Sequence, residues 1–128
     1  MVFFFLYRFW FSMKKFTGLK KNSDFQRVYR ESKSIVNHQL VLYVRENGLD
    51  YSRLGISVSK KVGNSVVRHK IKRLIKESVR LNEDSFHDGY DLVVVARVAA
   101  KGLDYHMMER SVLNLAHRKN LLRENVNS

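Results

Sequence analysis

No cysteine and no proline occur among the 128 residues. Without thiols the chain has no disulfide framework and no thiolate metal site, which suits a reducing cytoplasm. It has no internal repeat and no low-complexity tract, so the length fits a single domain with one core. Acids are scarce: 12 Asp and Glu stand against 24 Lys and Arg, for a formal net charge of +12. Such an excess calls for a negatively charged partner, either nucleic acid or a membrane surface, and says nothing about fold. A hydrophobic content of 45% argues against wholesale disorder. Catalytic signatures are missing too. The chain carries no glycine-rich phosphate loop and no Gly-x-Ser-x-Gly elbow. His38, His69, His87, His106 and His117 are scattered, none at metal-ligand spacing. Glu83, Asp84, Asp88 and Asp91 gather near a loop, where surface solubility explains them better than a divalent ion does. No metal site and no protein active site is expected.

What the chain does have is a basic core sequence from Arg53 to Arg80, RLGISVSKKVGNSVVRHKIKRLIKESVR. Arg53 to Ser59 alternates as a strand, with Leu54, Ile56 and Val58 inward and Arg53, Gly55, Ser57 and Ser59 outward. The small outer residues admit a second backbone, either of a neighbouring helix or of an RNA strand. Gly63-Asn64 then turns the chain, and Asn64 or Ser65 caps a helix. Val67, Ile71, Leu74 and Ile75 make its buried stripe, with Val79 at the edge. Arg68, His69, Lys72, Arg73, Lys76 and Arg80 fan out opposite. A solvated helix face normally interleaves acids at i, i+4. Here Glu77 is the only acid between Lys60 and Arg80, which favours binding over solvation.

Around this segment the pattern is that of an α+β domain. Residues 1–12, MVFFFLYRFWFS, form an aromatic run well short of the ~20 apolar residues of a transmembrane helix. They also lack the basic start and cleavage site of a secretory signal. They read as an extraneous segment from an upstream start, with Met13 opening the functional chain. Lys14, Lys15, Lys20 and Lys21 form a basic arm. Ser23 and Gln26 suggest a capping box for a short helix, Asp24 to Glu31. Phe25, Val28 and Tyr29 share one face of it, and core packing is the plain explanation for the two aromatics. Ile35 to Arg45 alternates as a half-buried strand. Tyr43 lies on its polar face, as a stacking platform or as an ordinary half-exposed tyrosine. Asn47-Gly48 marks a turn. Asn82 to Gly89 is a polar loop, Tyr90 to Arg97 a central strand covered on both faces, and Asp104 caps a last helix to about Lys119. Residues 121–128 read as a tail. The order α-β-β-(β)-α-β-α gives a two-layer sandwich, a small mixed sheet with helices packed on it.

KKVGNSVVRHKIKRLIKE resembles the signature of the protein subunit of bacterial ribonuclease P: Lys-Lys-x-Gly-Asn, Ala or Ser, Val-x-Arg-Asn-Arg-x-Lys-Arg. Lys20-Lys21-Asn22, Asp24-Phe25, Val28-Tyr29, Leu42-Tyr43, Gly55 to Ser59 and Val93 to Arg97 fit the same family, so the likeness runs from about Met13 to Lys119. The family's Arg-Asn-Arg is Arg68-His69-Lys70 here. His69 retains one hydrogen bond without the amide's paired geometry, and Lys70 retains charge without the bidentate fork. The resemblance implies an accessory protein of an endoribonuclease whose catalytic centre is RNA, cutting the 5′ leader from precursor tRNA with magnesium (Mg2+) bound mainly by that RNA. It implies that Lys20, Lys21, Phe25, Tyr29, Tyr43, Ser57 and Ser59 meet the leader. It further implies that Arg53, Lys60, Lys61, Asn64, Arg68, His69, Lys70, Lys72, Arg73 and Lys76 meet the catalytic RNA. The partners expected are that RNA and precursor tRNA, with no membrane, no obligate protein partner and a cytoplasmic location. A left-handed βαβ crossover is part of the family fold. The rival reading is a structural RNA-binding protein of ribosomal type. A DNA-binding regulator fits less well, because no helix precedes the basic one at helix-turn-helix spacing.

Overall fold

The computed structural model describes residues 15–123, so residues 1–12 lie outside the described part. A five-stranded mixed sheet has the order β1-β4-β5-β3-β2, with β1 at Phe16–Gly18, β2 at Ser34–Val36, β3 at Leu40–Glu46, β4 at Ser52–Ser57 and β5 at Tyr90–Ala96. Helix α1 spans Asn22–Glu31, α2 spans Ser65–Leu81 and α3 spans Tyr105–Arg118. Strand β5 is central, parallel to β4 and antiparallel to β3. It is reached from β4 through α2, the expected strand-helix-strand crossover.

Alternation along the strands divides the apolar residues between the two faces of the sheet. Leu40, Leu42, Leu54, Leu92, Val94 and Ala96 face one way and join Ile71, Ile75 and Val79 of α2 with Met108, Val112 and Leu115 of α3 in the main core. Tyr43, Val93 and Val95 face the other way and meet Leu19, Phe25, Val28 and Tyr29 around α1. Each burial follows the periodicity of its element. Asn64 caps α2 by accepting from the Val67 amide at 3.0 Å, and Asp104 caps α3 by accepting from Met107 at 2.9 Å.

Several local expectations change. Helix α1 starts two residues early, and Ser23 does not cap it: Lys21 is the N-cap, without a side-chain bond. The Lys21 carbonyl instead accepts from both Asp24 and Phe25. The strand expected over Ile35–Arg45 is broken into the β2–β3 hairpin, because the Asn37 side chain accepts from the amides of Gln39 and Leu40 and turns the chain. The basic arm contains a strand: β1 runs parallel to β4 and buries Phe16 edge-to-face on Phe86. Val79 is fully buried rather than marginal. Residues 121–123 belong to the domain. Leu121 is buried in the core, its carbonyl accepts from the His87 amide at 2.8 Å, and Leu122 bridges to Phe86.

Candidate nucleic-acid interface

Strand register lays the α1-facing side of the sheet out in three rows. Val36, Val41, Val95 and Ser57 form the first, Ser34, Tyr43, Val93 and Gly55 the second, and Arg45, Asp91, Arg53 and Thr17 the third. Helix α1 covers the second and third rows. Phe25 lies over Gly55 so closely that a Cβ at 55 would stand 2.6 Å from the Phe25 ring. The neighbour that the small residues of β4 admit is therefore this helix. The first row stays partly open, and Val36 is 45% exposed.

The wall of this open groove is aromatic. Tyr29 meets Tyr43 edge-to-face with ring centroids 4.8 Å apart, and Phe25 is 6.3 Å from Tyr29. All three rings are half-buried, so each is anchored on the apolar cluster while part of it stays open to a ligand. Burial pushes the Tyr29 hydroxyl above its ordinary value, against a hydrogen bond from Ser57 that favours the ionised form. Ser57 of β4 thus lies beside the Tyr29 hydroxyl at the edge of the groove. Lys20 and Lys21 are exposed just ahead of α1, and Ser59 is exposed beyond the end of β4. Among the residues expected to meet a leader, the two tyrosines, Phe25 and Ser57 converge on one groove.

On the opposite side of the sheet, α2 presents His69, Lys70, Lys72, Arg73 and Lys76 exposed, with Arg68 partly covered. Lys60 and Lys61 are exposed in the turn before it, where buried Val62 holds the loop down. Gly63 must remain small, since a Cβ there would lie 2.7 Å from Val67. The Asn64 side chain is occupied by its cap. One expectation fails. Arg80 does not fan out; it is buried at 7% exposure and bound to Glu77 through both Nε and Nη2, because the α2–α3 contact closes over the last turn. Arg53 lies on the other side of the sheet from the α2 cations. Its guanidinium grips Asp91 at 2.8 and 2.7 Å on the α1 side of the sheet.

Asp91 is a functional candidate that sequence reasoning missed. Burial pushes its carboxyl up, but the hydrogen bonds from Arg53 and Asn47 and the charges of Arg53 and Arg45 outweigh this and hold it below the usual carboxylate value. The four loop-side acids do not converge. Asp84 pairs with Lys15 at 3.6 Å and Asp88 with Arg123 at 3.5 Å, while Glu83 accepts from the Lys15 amide. Among the described residues no group of three His, Asp or Glu side chains is placed to hold a metal ion, and no helix is long and apolar enough to cross a membrane.

An aromatic groove on one side of a small sheet and a cationic helix face on the other define an RNA-binding α+β protein. The family model for Ribonuclease P matches residues 13–120. The ribonuclease P protein component of Clostridium novyi (strain NT) is 55% identical over 111 residues, 85% of this chain and 98% of that one. That of Clostridioides difficile (strain 630) is 48% identical over 105 residues, 81% of this chain and 92% of that one. The solved structure of the Staphylococcus aureus RNase P protein superposes with a TM-score of 0.77 at 38% identity, covering 83% of this chain and 97% of that one. The chain belongs to the ribonuclease P protein family: it is the accessory subunit of an endoribonuclease, partnered by the ribonuclease P RNA in processing the 5′ end of tRNA.

Proposed function

We propose that the groove between α1 and the sheet holds the single-stranded 5′ leader of precursor tRNA, and that the cationic face of α2 docks on the ribonuclease P RNA. The observation that carries this reading is the Phe25–Tyr29–Tyr43 wall beside an open row of the sheet. A leader of no fixed sequence is best held by ring faces, which any base can stack on, with Lys20 and Lys21 near the backbone phosphates. Helix α2 offers a different chemistry: a row of long, exposed cations, suited to a folded RNA's phosphates rather than its bases. In this reading the magnesium ions that cleavage needs are bound mainly by the RNA. The protein's work is to hold the leader so that the scissile bond sits at that RNA centre. A cytoplasmic location follows from this task.

Reconstitution tests the proposal. Cleavage of precursor tRNA by the ribonuclease P RNA at low magnesium should rise when the protein is added, and affinity should rise for precursor over mature tRNA. A protein of ribosomal type would give neither. Docking through α2 makes a separate prediction: Arg68→Ala or Arg73→Ala should flatten the log–log salt dependence of RNA affinity by about 0.7–0.9 per lost phosphate contact. A slope equal to wild type in both variants would remove those residues from the interface.

A further inference from the structure

Each acid of α1 meets an arginine of the sheet. Asp24, in the first turn, lies 3.8 Å from Arg53. Glu31, the last residue, is bound by the Nε of Arg45. Both arginines then converge on one carboxylate in the central strand. Arg53 donates to Asp91 through Nε at 2.8 Å and through Nη2 at 2.7 Å, and Arg45 donates through Nη1 at 3.4 Å. Asp91 is 1% exposed, and Asn47 completes its shell from Nδ2 at 2.9 Å. A single buried anion therefore holds two cations, and each cation reaches one end of the same helix. Between those ends, over about two turns or ~10 Å of axis, lie Phe25, Val28 and Tyr29. The outer side of the helix carries Arg27 and Arg30, both exposed.

We propose that Asp91 is the positioning residue of the groove. Through Arg53 and Arg45 it sets where α1 lies on the sheet, and with it the spacing of Tyr29 on the helix from Tyr43 on β3. The proposal rests on reading the groove as the leader site. Its physical basis is the contrast between the two attachments of α1. The apolar one is small: Leu19, Val28 and Val93 are the only fully buried members of that cluster, and apolar contact is non-directional, so it lets a short helix slide or roll. Charge-assisted hydrogen bonds from a planar guanidinium fork fix direction as well as distance. One such bond, from Arg45 to Glu31, holds the last turn, and the longer Arg53–Asp24 ion pair at 3.8 Å holds the first, so together they restrain the helix's position and roll.

The test severs the bridges at the helix and leaves the buried centre intact. The double variant Asp24→Asn/Glu31→Gln keeps Asp91, Arg45, Arg53 and the apolar cluster. In the holoenzyme assembled with ribonuclease P RNA, three quantities are measured: affinity for precursor tRNA, affinity for mature tRNA, and affinity of the protein for the RNA. Removing two negative charges strengthens binding to all RNA alike, and the precursor-to-mature ratio cancels that gain. Expected is a loss of about tenfold in this ratio, the scale of one stacked base, with the salt slope for the ribonuclease P RNA unchanged. The ring-proton shifts of Tyr29 and Tyr43 in the free protein should move as well. Asp91→Asn should show the same loss if it folds. A double variant that keeps the wild-type ratio overturns the proposal, and so does one that loses ratio and RNA docking together, since that marks general destabilisation. If the wild-type holoenzyme itself shows no preference for precursor, it is the leader reading of the groove that fails.

Discussion

Asp91→Ala is expected to lower the unfolding free energy by about 3–5 kcal/mol, the cost of removing one partner from a buried ion network. Two guanidinium groups would be left facing each other beneath α1 with no anion between them. Chemical denaturation at neutral pH measures the loss, and a change below 1 kcal/mol would contradict the burial and bonding of this carboxylate. The same group carries a pH signature. Its folded value lies below the ordinary one, so the unfolded chain binds the proton more tightly, and stability falls as pH drops. The contribution is complete above the unfolded value of about 3.9 and fades as pH falls from there through the lowered folded value. Glu31 and Glu109 are also lowered, by Arg45 and by Tyr105 with Asn82. Asp91→Asn should therefore flatten the acid limb without abolishing it.

Tyr29→Ala and Tyr43→Ala should each cost about 1–3 kcal/mol in binding precursor tRNA, or about 5- to 150-fold, if a base stacks on the ring. Mature tRNA, which has no leader, should bind as to wild type. Phenylalanine at either position keeps the ring and should retain most of the affinity. At position 29 it also removes the hydroxyl beside Ser57, so any residual loss there measures what that hydroxyl contributes. Equal losses for precursor and mature tRNA would show that the rings serve the core and not the leader.

The parts of this molecule that were legible in the sequence are those where one local pattern decides the outcome. Helix α2 follows from Asn64 and the spacing of Val67, Ile71, Leu74 and Ile75. Strand β5 follows from its continuous apolar run, and α3 from Asp104. Where a single side chain redirects the chain, periodicity is silent. Ile35 and Leu40 reach the same core although five residues apart, out of step for one strand, because Asn37 bends the backbone between them. Ser23 has the chemistry of a cap, but the Leu19 amide binds the Leu54 carbonyl at 2.9 Å and fixes the chain so that the turn into α1 begins earlier. Strand β1 is only three residues long and sits among lysines. The groove was half legible, since helix and strand spacing placed Phe25, Tyr29 and Tyr43 on faces that could meet. The Arg45–Asp91–Arg53 row was not legible. Its members are distant in the chain and become neighbours only through strand register, which no single strand's pattern reveals.

The order of strands has a further consequence for how the chain comes off the ribosome. Strands β3 and β4 follow one another in sequence but do not pair, because β5, made more than 30 residues later, lies between them. Until Ala96 has left the exit tunnel, both strands keep an unpaired edge toward the gap, even though α2, made before β5, already offers Ile71 and Ile75 to their apolar face. The N-terminal half can form the β2–β3 and β1–β4 pairs but not one continuous sheet. The nascent chain must hold two open, aggregation-prone edges, with its positive charge as the main safeguard, and then complete the sheet in a single late insertion.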